Sequence, residues 1–232
     1  MNLKTESIND HTERDTQPQR TLAPIETWFR RQGWSPLPFQ MRAWEAHLKG
    51  LSGLIQVPTG SGKTYAAVMG PIARMLETAN ERSGVRLLYI TPLRALSRDL
   101  AVALKQPIDA MGWPLRVGIR NGDTASAERT RQIRTPPEIL ITTPESLCVL
   151  LAGRHCEALF KTLETVVLDE WHELIGSKRG IQTELALSWL RQERPQLQTW
   201  AISATIGNLE ESARHALGEG SQPCLITGAP KR

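Results

Sequence analysis

Short apolar runs alternate along the chain with longer stretches in which apolar residues recur at helical spacing. The runs are rich in Val, Ile and Leu, as expected of strands that are buried on both faces of a parallel sheet. The predicted strands are Gly53–Val57, Arg86–Thr91, Leu115–Ile119, Glu138–Thr142, Thr165–Asp169, Gln198–Ser203 and Cys224–Thr227. The predicted helices lie near Lys63–Ala79, Arg94–Met111, Pro144–Leu151, Gly180–Arg194 and Leu209–Leu217. This alternation predicts an α/β fold, a mainly parallel twisted sheet with helices on both faces.

The beginning of the chain differs from this pattern. Residues 1–20 are polar, and Leu3 and Ile8 are the only large aliphatic side chains among them. Such a segment buries too little apolar surface to offset the entropy that is lost on ordering. We therefore expect a disordered polar tail over residues 1–20 and one folded domain over residues 21–228.

Composition narrows the class of protein only a little. The 232 residues are 40% hydrophobic, which is enough to bury one large core. The 28 basic and 24 acidic residues leave a net charge of +4, which permits an anionic partner but identifies none. No apolar run approaches the ~18 residues of a membrane span, and the first residues lack the apolar centre of a signal peptide. We therefore expect a cytoplasmic protein.

Three cysteines, Cys148, Cys156 and Cys224, are spread along the second half of the chain. Their spacing is neither that of a zinc site nor that of a disulfide framework. We expect reduced thiols with a structural role.

A glycine-rich turn follows the first predicted strand and opens a predicted helix, the context that a phosphate-binding loop requires. The residues predicted to bind ATP in this loop are Thr59, Gly60, Ser61, Gly62, Lys63 and Thr64. Glycines let backbone amides approach the phosphates, Lys63 would neutralise phosphate oxygens, and Thr64 would offer its hydroxyl to Mg²⁺. The full pattern has a further glycine where this sequence has Val57, so only its second half is present. A plain glycine-rich turn is the alternative without function.

Two adjacent carboxylates, Asp169 and Glu170, end the predicted strand Thr165–Asp169. Asp169 could hold Mg²⁺ while Glu170 polarises the attacking water, which separates metal binding from activation of the nucleophile. Alone, such a pair is usually the solvated start of a loop. The phosphate loop upstream favours a site for ATP hydrolysis.

The sequence Asp-Glu-Trp-His at 169–172 resembles the DExH box of superfamily 2 helicases. The resemblance implies a RecA-like P-loop NTPase domain that binds ATP and Mg²⁺, with Lys63, Asp169, Glu170 and His172 as catalytic residues. His172 would couple Glu170 to the third helicase motif, although a satisfied polar residue is the alternative. Trp171 is either a functional residue of the box or a residue of the core.

Two further segments resemble motifs of these helicases. Ser203, Ala204 and Thr205 resemble the third motif, which links the state of ATP to the grip on nucleic acid. Gln40, after Phe39, resembles the Q motif, in which a glutamine amide reads the adenine edge as both donor and acceptor. A surface glutamine is the alternative for Gln40.

Three turns at the ends of predicted strands resemble motif Ia, the turn between Ia and Ib, and motif Ib. The residues predicted to contact nucleic acid there are Thr91, Pro92, Arg94, Arg120, Asn121, Gly122, Thr143 and Pro144. Free amides, hydroxyls and a guanidinium can hold successive phosphates of one strand without reading its bases. Ordinary strand-to-helix turns are the alternative. Lys178 and Arg179 fit either a solvated charge pair or a contact with the strand.

Residues 169–180 and 203–208 resemble the Lhr (large helicase-related) branch, and the Trp of the box resembles its bacterial ligase-associated DExH subgroup. This resemblance implies 3′-to-5′ movement on single-stranded or partly duplex DNA, driven by ATP hydrolysis, in DNA repair. It also implies a DNA ligase and a nuclease as partners in the same pathway.

Helicases of this superfamily close two RecA-like domains on one ATP, and the chain carries the motifs of the first domain only. We expect residues 229–232 to begin a linker to a second RecA-like domain, and the chain alone to hydrolyse ATP very slowly. The alternatives are an RNA helicase domain, a nucleotide or single-strand binding module without motor activity, and a P-loop kinase or transporter ATPase. The last would need an acceptor site or membrane-coupling elements, which we do not find in the sequence.

Overall fold

The computed structural model describes residues 9–78, 84–204, 206–218 and 220–228, with side chains from residue 19 onward. The strands are β1 Gly53–Gln56, β2 Leu87–Ile90, β3 Val117–Arg120, β4 Ile139–Thr142, β5 Thr165–Leu168, β6 Gln198–Ser203 and β7 Cys224–Thr227. The helices are α1 Asn9–Arg31, α2 Pro38–Leu48, α3 Lys63–Glu77, α4 Leu96–Met111, α5 Ser126–Arg134, α6 Pro144–Leu151, α7 Cys156–Phe160, α8 Trp171–Leu174, α9 Lys178–Glu193 and α10 Leu209–Leu217.

The strands form a single seven-stranded sheet in the order β3-β4-β2-β5-β6-β1-β7. Every neighbouring pair is parallel. Each predicted strand is present, with bounds shifted by two residues at most. The predicted α/β fold with a parallel sheet is therefore confirmed.

Two hydrophobic cores lie on opposite faces of the sheet, because neighbouring residues of a strand point to opposite sides. In β2, Leu87 and Tyr89 join the core under α1 to α4, whereas Leu88 and Ile90 join the core under α6 to α10. These four side chains are fully buried. Burial on both faces explains why the strands appear in the sequence as continuous apolar runs rather than alternating ones.

The first helix differs from the sequence prediction. Asn9–Arg20 form the first turns of α1 rather than a disordered tail, and residues 1–8 lie outside the described residues. Leu22, Ile25 and Trp28 of the same helix are buried in the first core. Once this end is docked, each further residue adds a helical hydrogen bond at little cost, so the helix extends into the polar segment.

Cys148, Cys156 and Cys224 are free thiols, as the sequence predicted. None of the helices described is both long and apolar enough to cross a membrane.

Candidate ATP site and nucleic-acid face

The order of the strands separates the predicted motifs into two neighbouring groups. The phosphate loop, the DExH box and the third motif follow β1, β5 and β6, which are adjacent in the sheet. The three turns predicted to contact nucleic acid follow β2, β3 and β4, which are also adjacent. All six strands are parallel, so their carboxyl ends lie along one edge, where ligands bind in open α/β sheets. The two groups meet between β2 and β5.

The phosphate loop turns sharply between β1 and α3. Gly60 and Gly62 have φ angles of 76° and 86°, a region that suits glycine and disfavours residues with a side chain. Val57, which replaces the first glycine of the full motif, is 1% exposed, and its amide bonds to the Ser203 carbonyl at 3.1 Å. Val57 therefore extends the sheet and core, and the turn begins only at Pro58.

Gln40 lies on α2, and its side-chain amide contacts the phosphate loop. Its Nε2 donates to the Gly62 carbonyl at 3.0 Å, and its Oε1 accepts from the Leu37 amide at 2.8 Å. A Cβ on Gly62 would lie 2.8 Å from Gln40 Nε2. The side chain is 3% exposed. The structure thus gives Gln40 a contact that the sequence did not indicate, while contact with adenine stays a prediction.

The DExH box meets the phosphate loop directly. Lys63 Nζ lies 2.5 Å from Glu170 Oε1, and their side chains are only 8% and 16% exposed. Glu170 has φ 44° and is the only residue besides glycine with positive φ among the described residues. A carboxylate residue held in this sparsely populated region points to a geometric requirement at the site. The chain turns there from β5 into α8 and presents Glu170 to Lys63.

Asp169 lies at the end of β5 and is 9% exposed. Its Oδ1 accepts a bond from the Glu170 amide at 3.0 Å. Burial, and secondarily the neighbouring Glu170 charge, raise the pKa of Asp169 to about 6, although Lys63 acts in the opposite direction. A nearby cation would favour the ionised form of this carboxylate and lower its pKa. Asp169 therefore fits a metal ligand.

His172 connects the box to the third motif. Its Nδ1 lies 3.5 Å from Glu170 Oε2 and 3.1 Å from Ser203 Oγ. Ala204 follows β6 and is partly buried, and Thr205 lies outside the described residues. Trp171 is fully buried, and its Nε1 donates to the Ser212 carbonyl at 2.9 Å. Of the two interpretations of Trp171, the structure supports the core residue.

Tyr89 is a site residue that no sequence pattern indicates. It is fully buried on β2, at the boundary between the two groups of motifs. Its hydroxyl interacts with Asp169 and Thr64 but meets no partner at hydrogen-bond geometry in the described part of the chain. Burial, followed by the Asp169 charge, raises the pKa of Tyr89 well above its ordinary value. In the sequence, Tyr89 resembles any other apolar strand residue.

The three turns after β2, β3 and β4 are tied together by hydrogen bonds. The Thr91 amide donates to the Thr142 carbonyl at 2.9 Å, and Thr142 Oγ1 donates to the Arg120 carbonyl at 2.7 Å. The Arg94 guanidinium lies 3.8 Å from Asp123 and packs over Gly122. The structure therefore brings the predicted nucleic-acid turns into one continuous face.

The predicted contact residues on this face fall into two kinds. Arg94 and Gly122 are exposed, and Arg120 is half-buried with its Nη1 bonded to the Arg129 carbonyl at 3.0 Å. The remaining side chains are buried and shape the turns: Thr91, Pro92, Asn121, Thr143 and Pro144. Direct side-chain contact with a strand is thus open to Arg94 above all, and the buried residues would act through the backbone.

A RecA-like fold that joins a phosphate loop to a DExH box defines a helicase-type ATPase domain. The model of the DEAD/DEAH box helicase family matches residues 37–212, and the chain belongs to this family.

Curated relatives point to the Lhr branch within it. The chain is 37% identical to the "Lhr helicase/ probable uracil glycosylase" of Mycolicibacterium smegmatis over 91% of its length and 15% of that protein. It is 35% identical to the "ATP-dependent helicase Lhr-Core" of Methanothermobacter thermautotrophicus, over 87% of its length and 25% of that protein. The chain thus spans a quarter or less of the length of these relatives. The resemblance to Lhr helicases is confirmed, and the ligase-associated subgroup stays a prediction.

Solved structures agree with this assignment. Mycobacterium smegmatis helicase Lhr bound to ssDNA and AMP-PNP has a TM-score of 0.82 and 33% identity, over 90% of this chain and 28% of that one. DUF1998 helicase MrfA bound to DNA has a TM-score of 0.77 and 26% identity, over 89% of this chain and 29% of that one. The predicted RecA-like domain is therefore confirmed.

Proposed function

We propose that the chain is the ATP-binding first motor domain of a DNA helicase that moves 3′ to 5′ on single-stranded DNA and acts in DNA repair. The observation that carries the proposal is the Lys63–Glu170 ion pair, which joins the phosphate loop to the DExH box at 2.5 Å. His172 Nδ1 lies 3.5 Å from the same carboxylate and 3.1 Å from the hydroxyl of Ser203, which belongs to the third motif. The site therefore has the parts for ATP hydrolysis and for its coupling to nucleic acid.

In this proposal the amides of residues 59–62 and Lys63 bind the phosphates of ATP at the N-terminus of α3. Thr64 and Asp169 would hold Mg²⁺, because a hydroxyl and a carboxylate supply the oxygen ligands that it prefers. Bound Mg²⁺ would neutralise charge on the β- and γ-phosphates. Phosphates of bound ATP would replace Glu170 as the partner of Lys63. The Glu170 carboxylate could then accept a proton from the attacking water.

The face formed by the turns after β2, β3 and β4 would bind one DNA strand through its phosphates. Arg94 is the exposed cation of this face, and backbone amides of the turns supply further donors. The neighbours Lhr and MrfA are both described as bound to DNA, which supports DNA as the partner. Polarity, the repair role and a ligase and nuclease as pathway partners rest on the resemblance to the ligase-associated subgroup.

We further propose that a second RecA-like domain of the full-length protein completes the ATP site. The chain spans only 15% and 25% of two Lhr relatives, so most of such a protein lies outside it. An arginine supplied by another domain is worth about 10³- to 10⁵-fold in phosphoryl transfer. This domain alone should therefore bind ATP and hydrolyse it slowly.

Binding of a fluorescent ATP analogue with Mg²⁺ tests the nucleotide site. Lys63→Ala should weaken binding roughly ten- to a hundred-fold, because it removes a charge-assisted hydrogen bond to phosphate. Lys49→Ala is the matched control, since Lys49 is exposed at the end of α2. Equal affinity of the two variants would contradict the proposed site.

A further inference from the structure

Arg179 lies in the first turn of α9, shortly after the DExH box, and its guanidinium bonds to two other parts of the fold. Its Nη2 donates to the Pro92 carbonyl at 2.7 Å. Its Nε and Nη2 donate to the two carboxylate oxygens of Glu145 at 2.5 and 3.3 Å. Only the planar fork of an arginine can make these three bonds together.

The two partners of Arg179 belong to two of the turns on the nucleic-acid face. Pro92 lies in the turn after β2, and Glu145 lies in the first turn of α6, next to Thr143 and Pro144. A single side chain therefore joins both turns to the helix that follows the DExH box. None of these bonds involves the phosphate loop.

The turn before α9 fixes the position of Arg179 along the chain. Ser177 Oγ accepts from the Gly180 amide at 3.1 Å and donates to the Leu174 carbonyl at 2.6 Å. A Cβ at Gly180 would overlap the Leu174 carbonyl oxygen, so the two helices α8 and α9 meet closely only because residue 180 is glycine. Arg179 is thus held at a defined place relative to the DExH segment.

A contribution to stability alone does not explain this arrangement well. The side chains of Arg179 and Glu145 are 37% and 46% exposed, and an exposed ion pair usually contributes only ~0.2–1 kcal/mol. The bond to the Pro92 carbonyl fixes the orientation of the guanidinium. The arrangement restrains the relative position of two turns rather than adding much to the free energy of unfolding.

We propose that Arg179 is a positioning residue for single-strand binding, which holds the Pro92 turn and the α6 N-terminus at the spacing that successive phosphates require. This inference rests on the proposed function. Arg179 does not itself contact the strand in this account. The bonds of Arg179 to Glu145 and Pro92 show that its charge is not merely solvated, and a direct contact with DNA is the alternative that the experiment tests.

The salt dependence of DNA binding separates a positioning residue from a direct phosphate contact. Each phosphate contact on a single strand contributes about 0.7 to the slope of log affinity against log salt concentration. Loss of a direct contact lowers the magnitude of that slope, because one counterion fewer is released on binding. Loss of positioning weakens binding but leaves the number of released counterions, and therefore the slope, unchanged. A lysine preserves the charge of Arg179 but cannot make the three bonds.

The experiment measures the affinity of this chain for a fluorescent oligo(dT) strand by anisotropy at several salt concentrations. Arg179→Gln and Arg179→Lys should both weaken binding about tenfold with the slope unchanged. Arg94→Gln should lower the slope, as expected for a phosphate contact. Arg214→Gln is the matched control, because Arg214 is an exposed arginine that pairs with Glu210 on the same helix, α10. Affinity for an ATP analogue should stay constant in all four variants, which shows that the domain is folded.

The inference is overturned if Arg179→Lys binds as the unaltered chain does, if Arg179→Gln lowers the slope as Arg94→Gln does, or if neither Arg179 variant changes the affinity. Failure of the unaltered chain to bind the strand would contradict the proposed function itself and remove the basis of the inference. The two failures are distinguishable because the second concerns the unaltered chain.

Discussion

Lys63 and Glu170 pair at 2.5 Å although 107 residues separate them along the chain. The pair is possible because β1 and β5 both flank β6, so the loops at their carboxyl ends lie close together. Glu170 reaches Lys63 through a positive φ of 44°. The cation expected to bind phosphate and the carboxylate expected to activate water therefore share one site.

Glu170→Gln should abolish ATP hydrolysis by the full-length protein while ATP binding persists. The amide cannot accept a proton from water, and loss of general-base catalysis typically costs about 10²- to 10⁴-fold in rate. Steady-state turnover and binding of an ATP analogue measure the two effects separately. Glu173→Gln, an exposed neighbour on α8, should leave turnover unchanged. Turnover of Glu170→Gln near that of the control would remove Glu170 from this role.

Tyr89→Phe should stabilise the chain while weakening its response to Mg²⁺. The hydroxyl is buried without a hydrogen-bond partner in the described residues, a situation that costs about 1–3 kcal/mol. Removal of the hydroxyl should raise the free energy of unfolding by about 1 kcal/mol. The concentration of Mg²⁺ needed for half-maximal ATP binding should rise several-fold, because Asp169 and Thr64 lose a neighbouring polar group.

Tyr65→Phe is the matched control for this experiment. Tyr65 donates its hydroxyl to the Ala103 carbonyl at 3.3 Å, so its loss should be neutral or destabilising. Denaturant unfolding and Mg²⁺ titrations of both variants decide the question. A less stable Tyr89→Phe chain with an unchanged Mg²⁺ response would show that the Tyr89 hydroxyl has an ordinary structural role.

His47 should make the stability of the fold fall with decreasing pH. Burial, followed by the Arg74 charge, lowers the pKa of His47 from 6.5 to about 3, and neither ring nitrogen has a partner among the described residues. Below pH 6.5 the unfolded chain takes up a proton that the folded chain refuses. The folded state should therefore lose up to about 1.4 kcal/mol per pH unit between these two pKa values. Above pH 6.5 His47 should contribute no pH dependence.

Unfolding by denaturant at a series of pH values between pH 8 and pH 4 measures this effect. His47→Leu should flatten the curve below pH 6.5 relative to the unaltered chain. His155→Leu, at an exposed position, should leave the curve as it was. A curve for His47→Leu that runs parallel to that of the unaltered chain would contradict the assignment.

Strand positions could be predicted from the sequence because both faces of the central strands are buried. Runs such as Val166-Val167-Leu168 then carry an apolar residue at every position, and 3.6-residue periodicity distinguishes the longer helices. The phosphate loop and the DExH box could be predicted because their chemistry requires certain residue types at fixed spacing. The polar start of α1 could not, because the docking of Trp28 decides whether that helix forms.

Several contacts at the site join residues that are distant along the chain, and local sequence patterns do not predict such contacts. Gln40 supports Gly62, and Tyr89 approaches Asp169 from the next strand. Arg179 bonds to Pro92 and Glu145, which lie 87 and 34 residues away along the chain. Sequence patterns indicate Gln40 and Arg179 but not these contacts, and they do not mark Tyr89, because each partner is brought near only by the tertiary fold.

ATP turnover with and without single-stranded DNA tests the central claim most directly, measured on this chain and on the full-length protein. We expect DNA to stimulate ATP turnover by the full-length protein. This chain should bind ATP but turn it over at least about 10³-fold more slowly than the full-length protein does. An RNA strand of the same sequence distinguishes DNA from RNA as the partner. A full-length protein whose ATP turnover responds to neither strand would contradict the assignment of this domain to a nucleic-acid motor.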